Sequence, residues 1–276
     1  FAFRWQARRD SLLPSAATLA HQSSNKNMSS EWTATADDFP CFLGPEGTAS
    51  LDGVELDTNW QANPPQCIWR RPIGAGWSGF ATYGNHAVTL EQRGNDESIS
   101  CYALETGEPE WVVSVPARHE TVLGGIGPRS TPTIRDGVVY ATGATGWLHA
   151  IEGSTGKILW RKDIVADLGI DRATHASAVA WGRSGSPLVT ENLVITPAGG
   201  PRKATKLQDV DSSTVAPTTS PYVSLVAYDR TTGDLAWLAG TEQIAYASPQ
   251  MLRLNNQKVV ATVNEGHVAA YDLKTG

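Results

Sequence analysis

The chain has 276 residues, 41% of them hydrophobic and 18% charged, with a formal net charge of −6. That is enough apolar material for a large core. The mild acidity provides no basic stripe to neutralise phosphates, which excludes nucleic acid as a partner, and no apolar run approaches the ~20 residues that a spanning helix needs, so no transmembrane segment is expected.

In chain order, residues 1–30 show neither strand nor helix period. Arg8-Arg9, followed by Leu12-Leu13 and small residues to Ala20, faintly resembles a twin-arginine or other export signal interrupted by Asp10 and Pro14. The other reading starts the protein at Met28 and makes 1–30 upstream sequence or a disordered tail, which would place it in the cytoplasm. A propeller-type domain is expected over 31–276. Its segment 66–74 (QCIWRRPIG) reads as an outermost, ring-closing strand, with Trp69 in a docking position and Pro65 where a glycine is expected. Four units follow, at 78–115, 131–163, 186–238 and an incomplete 248–276, each a run of short apolar segments separated by Gly, Asp or Asn turns. Helix competes poorly, because Gly and Asn interrupt nearly every window long enough to hold one.

Within these units a phrase recurs: a Thr-Gly turn, then a Trp four residues after the glycine. It stands at Gly107 and Trp111, Gly156 and Trp160, and Gly233 and Trp237, with a fourth turn at Gly276. These glycines lie 49, 77 and 43 residues apart, and the short intervals suit a four-stranded propeller blade of roughly 40–50 residues. Glycine accepts the positive φ of a tight hairpin, and a Trp on the fourth strand presents a large apolar plate to the next blade. Trp69, Trp111, Trp160 and Trp237, with Gly107, Gly156 and Gly233, are therefore read as structural docking residues. The expected fold is all-β, a β-propeller with about four blades present of a seven- or eight-bladed ring. Alone, such a fragment leaves strand edges and docking faces open.

The pattern (apolar)-x-Ala-(Tyr/Ile)-(Asp/Glu)-x-x-Thr-Gly-Lys-x-x-Trp, from Cys67 to Gly276, resembles the pyrroloquinoline quinone (PQQ)-type propeller repeat family. That family includes quinoprotein dehydrogenases and BamB-like scaffolds. The preceding DDFPCFLGPEGTASLDG is similar to the lead-in W-x-x-F-R-G-P-x-x-x-G of PQQ-like proteins, with Leu43 in place of its Arg. The resemblance implies an extracytoplasmic site, in the periplasm or cell envelope, and leaves enzyme and scaffold both open.

Chemistry in such a fold sits on loops. The connections between blades, together with the turns between second and third strands, share one face. His119 precedes Gly127-Pro128-Arg129-Ser130-Thr131-Pro132, His175 precedes Gly182-Arg183-Ser184-Gly185-Ser186-Pro187, and the Ser/Thr-Pro step returns at Ser248-Pro249. Arg93, Arg129 and Arg183 either ring a channel mouth, where their guanidinium forks bind a small anionic ligand, or satisfy carbonyls of irregular loops. His119 and His175 join that candidate ligand set and read as loop hydrogen-bonders rather than metal ligands. The loops 117–130, 171–185 and 199–222 form the expected binding face for a protein partner or small anion.

No catalytic residue, metal or cofactor is expected. The family's enzymes hold PQQ with Ca²⁺ through Glu, Asn and Asp and commonly carry an adjacent Cys-Cys pair; this chain has Cys41, Cys67 and Cys101, none adjacent, and no Cys-x-x-Cys-His haem motif. A Cys41–Cys67 disulfide is open, while Cys101 reads as a small core hydrophobe. A non-catalytic scaffold is the first reading and a PQQ-dependent dehydrogenase of alcohols or sugars the alternative.

Overall fold

Short apolar runs closed by Gly or Asn turns leave each segment only its neighbour in sequence to pair with, and antiparallel meanders result. The computed structural model describes residues 9–15, 18–19, 32–202 and 220–276. The first meander is β1 (Ala81–Tyr83), β2 (His86–Arg93), β3 (Asp96–Ala103) and β4 (Pro109–Val115), in that order. A two-residue hairpin, β5 (Glu120–Thr121) and β6 (Gly125–Ile126), interrupts the next connection. The second meander is β7 (Thr133–Arg135), β8 (Val138–Thr142), β9 (Trp147–Glu152) and β10 (Lys157–Asp163). The third is β11 (Leu188–Val189), β12 (Leu193–Gly199), β13 (Val223–Asp229) and β14 (Leu235–Ala239). The fourth has three strands, β15 (Gln250–Leu254), β16 (Gln257–Val263) and β17 (Val268–Asp272). The expected all-β architecture of four-stranded blades is thus present. Two short helices, Ile164–Asp167 and Arg172–Ala178, were not legible in the Gly- and Asn-rich pattern. Each starts where an Asp side chain caps it: Asp163 accepts from the Ala166 N–H and Asp171 from the Thr174 N–H.

The hydrophobic core lies between blades. Val88, Leu90, Ile99 and Trp111 of the first blade pack against Ile134, Val139 and Ile151 of the second. The second packs on the third through Tyr140, Leu148, Val194 and Val226, and Trp237 and Ile195 meet Val260 of the fourth. Each docking Trp covers the glycine of the following Thr-Gly turn. A Cβ on Gly107 would stand 2.5 Å from Trp69, one on Gly156 2.8 Å from Trp111, one on Gly233 2.8 Å from Trp160 and one on Gly276 2.9 Å from Trp237. The indole N–H then donates to the carbonyl three residues before that glycine: Trp69 to Leu104 (2.8 Å), Trp111 to Gly153 (2.6 Å) and Trp160 to Arg230 (3.0 Å). Trp237 Nε1 has no partner among the described residues.

Around the inner strands the Ser/Thr-Pro steps link blade to blade. The Thr131 N–H donates to Ser186 Oγ and the Ser186 N–H to Ser248 Oγ, both at 2.9 Å. The N-terminal DDFP segment runs along the same inner edges, where Phe39 O accepts from the Thr82 N–H and Pro40 O from the Ile134 N–H. Residues 66–74 form no ladder with another described strand, and only Ala75 bridges to Gln92. Cys41, Cys67 and Cys101 are all free, so the Cys41–Cys67 disulfide left open by the sequence is not made. Cys101 is fully buried in the core between the first two blades. Among the described residues no helix is long and apolar enough to cross a membrane.

Candidate functional site: the loop face

The β2–β3 turn and the connections between blades share one face. Gln92 ties them together, its amide donating to the carbonyls of Gly94 and Ala117. Part of the N-terminal segment lies on this face as well: Asp10 binds Arg118 at 2.7 Å, and Pro14 O accepts from Arg93. The remainder of the 1–30 reading, apart from 9–15 and 18–19, lies outside the described residues, as do 203–219 of the 199–222 loop.

Arg93 is buried and closes a network with Glu91 (2.9 Å) and the Tyr102 hydroxyl (3.1 Å), which itself donates to Glu91. Despite its burial, the Glu91 carboxylate keeps this guanidinium charged and raises its pKa, while burial and then Glu91 push Tyr102 up to about 12. Arg183 is also buried; its two terminal nitrogens donate to the carbonyls of Pro197 and Ala198, while Nε has no partner and no carboxylate binds the group among the described residues. Burial lowers it to about 10. Both guanidinium forks are therefore engaged by protein groups. Arg129 is only half-buried; it donates to the carbonyls of Gly124 and Trp181 and stands over the Trp77 ring at 5.8 Å.

His119 and His175 sit beneath this face, both buried. Among the described residues, His119 Nε2 and both ring nitrogens of His175 lack a hydrogen-bond partner. Burial, then Arg183, Arg172 and His119, depress His175 to about 3, and burial followed by Arg129 lowers His119. Both are neutral imidazoles at neutral pH.

Above them lies a feature the sequence reading did not single out. Trp77 is 71% exposed, Leu123 73% and Val122 fully exposed, and Trp181 and Tyr246 meet edge to face at 4.9 Å. Arg129 joins the two halves, lying over Trp77 and bonded to the Trp181 carbonyl. The connection before the first blade and all three between blades contribute to this apolar, aromatic patch. Only the ten tryptophans of the composition, more than the four docking positions use, hinted at it.

A cavity of about 500 Å³ lies elsewhere, bounded by Pro40–Gly47 and the starts of β7, β11 and β15. Arg93, Arg129, Arg183, His119 and His175 are outside its lining, and among the described residues Glu46 is the one carboxylate within it. Calcium needs six or more oxygen ligands, carboxylates foremost, so this lining does not fit a calcium–quinone pair.

Comparison with known proteins adds the following. Residues 95–276 match the family model described as outer membrane protein assembly factor BamB. Among solved structures, BamB from Moraxella catarrhalis is 14% identical, with a TM-score of 0.43, over 72% of this chain and 62% of its own. The quinohemoprotein alcohol dehydrogenase of Comamonas testosteroni is 14% identical, with a TM-score of 0.44, over 95% of this chain and 51% of its own. A second such dehydrogenase, from Pseudomonas putida, is 18% identical at 0.43 over 72% and 33%. The chain thus spans less than two thirds of each of these three proteins. No curated protein matches.

Proposed function

The chain belongs to the family of the outer membrane protein assembly factor BamB, and from that premise we propose that it is a non-catalytic scaffold of the cell envelope that docks a protein partner on its loop face. The patch of Trp77, Leu123, Arg129, Trp181 and Tyr246 carries this reading. Contiguous exposed apolar surface marks interaction sites, and Trp, Tyr and Arg are the residues that dominate interface energies. Arg129 supplies a partly satisfied donor at the centre, suited to a carbonyl or carboxylate of the partner. The buried Arg93 and Arg183 hold the loops in place beneath it.

The test is co-purification with cross-linking from envelope extracts, using the wild type and a Trp77→Ser/Leu123→Ser/Arg129→Ala variant. The first two side chains are mostly exposed, so the fold should survive, as circular dichroism would show. The wild type is expected to retain a specific partner and the variant to lose it, at least about 30-fold weaker if one hot spot is removed. A partner held equally by both, or none held by either, would sink the proposal. Heat on titrating PQQ with Ca²⁺ into the protein would instead favour the dehydrogenase alternative.

A further inference from the structure

At the opposite end of the first blade, the Thr-Gly-turn end, three polar side chains converge in an apolar core. His86 opens β2, Cys101 lies on β3, and Glu110 lies on β4 where the register slips between Cys101 and Tyr102. That slip leaves Glu110 as the extra residue of a bulge and turns it toward its neighbours. His86 Nδ1 is 2.7 Å from Glu110 Oε2, the Cys101 thiol donates to the same oxygen at 3.2 Å, and the three donor atoms lie within 4.8 Å of one another. His86 and Cys101 are buried, and Trp32 stacks on the His86 ring at 4.6 Å.

The blade does not require this polarity. Cys101 pairs with Trp111, Ala150 with Trp160 and Ala227 with Trp237, which fixes the equivalent positions in each repeat. Where the first blade has His86, Cys101 and Glu110, the second has Val138, Ala150 and Leu159, and the third has Leu193, Ala227 and Ala236. Both alternatives are wholly apolar. Polar residues that break an otherwise consistent local pattern concentrate at functional sites.

From this juxtaposition we propose that His86, Cys101 and Glu110 bind a zinc ion. One imidazole, one thiolate and one carboxylate form a donor set suited to zinc. Zinc–ligand bonds of about 2.0–2.3 Å at tetrahedral angles hold the donor atoms roughly 3.3–3.6 Å apart. The observed separations of 2.7 and 3.2 Å need only small side-chain rotations to reach that spacing. On binding, the thiol proton leaves to solvent, the Cys101 sulfur and the Nδ1 lone pair of His86 turn to the metal, and Glu110 becomes a ligand instead of an acceptor. Glu110 is the edge open to solvent, its side chain 17% exposed, so entry and a fourth, water ligand belong there. The ion would clamp β2, β3 and β4 beneath Trp32.

Cobalt(II) titration of a Cys41→Ser/Cys67→Ser variant tests this directly, because Cys101 is then the sole thiol of the chain. One equivalent of cobalt should give a thiolate-to-metal charge-transfer band, and zinc should displace it. His86→Ala or Glu110→Gln should weaken zinc at least tenfold in competition with a chromophoric chelator. Zinc should also raise the melting temperature of the full chain but not of these variants. Absence of the charge-transfer band in the single-thiol protein overturns the assignment, even if a ligand variant fails to fold. So does zinc affinity unchanged by His86→Ala.

Discussion

His149 and His175 are buried, with both ring nitrogens lacking a hydrogen-bond partner among the described residues. Burial lowers each to about 3, helped by Arg161 at His149 and by Arg183, Arg172 and His119 at His175. In the unfolded chain a histidine takes up its proton near pH 6.5. Between roughly 6.5 and 3 the unfolded state therefore binds protons that the folded state refuses, and stability falls as the pH falls, by up to about 1.4 kcal/mol per pH unit for each histidine. Glu97 opposes this trend, since burial raises its carboxyl and the folded state holds its proton more firmly. Comparing wild type with His149→Leu isolates the histidine contribution. The urea midpoint of the variant should drop less steeply from pH 7 to pH 4.5 than that of the wild type. Parallel curves would mean that the imidazole titrates freely in the folded protein.

A blade is held to the next by an indole on a glycine, and two glycines with similar backbones separate that contact from backbone strain. Gly156 (φ +73°) would put a Cβ 2.8 Å from Trp111, whereas Gly94 (φ +54°) would meet nothing within 4 Å. Alanine at either site suffers the left-handed conformation, about 1 kcal/mol; at Gly156 it must also displace a packed indole, making the total about 2–4 kcal/mol. Denaturant unfolding of Gly156→Ala and Gly94→Ala should show this gap, and equal losses would remove the docking contact as its cause. The blades were legible in the sequence for the same reason they are stable: Gly107, Gly156 and Gly233 recur because each turn must admit a Trp. The exposed patch was not, because Trp77, Leu123, Trp181 and Tyr246 sit in irregular connections with no period to betray them. The convergence of His86, Cys101 and Glu110 was hidden too, since it depends on a one-residue bulge that no spacing rule specifies. Arg93 and Arg183 were legible as loop-face arginines; that Glu91, Pro197 and Ala198 engage them follows only from three-dimensional packing.

At the scale of the molecule, the sheet β15-β16-β17 has one packed face and one exposed apolar face. Val260 and Tyr271 pack toward the third blade around Trp237. On the other face Leu252, Leu254, Val263 and Val268 are exposed to 47%, 50%, 47% and 77%, a surface that in the earlier blades is covered by the next blade. Register places these four together, with Val263 directly opposite Val268 and Leu252 opposite Val259. Among the described residues β17 pairs with β16 alone, so its outer edge presents free backbone donors and acceptors. An open edge beside an apolar face is a template for another strand. The chain is therefore expected to self-associate through this sheet, with a sedimentation coefficient that rises with protein concentration. Leu252→Lys/Val268→Lys places two like charges on the exposed face, where neither supports the core, and should hold the coefficient constant over the same range. A wild-type chain that sediments as a monomer at every concentration would show that this face tolerates water.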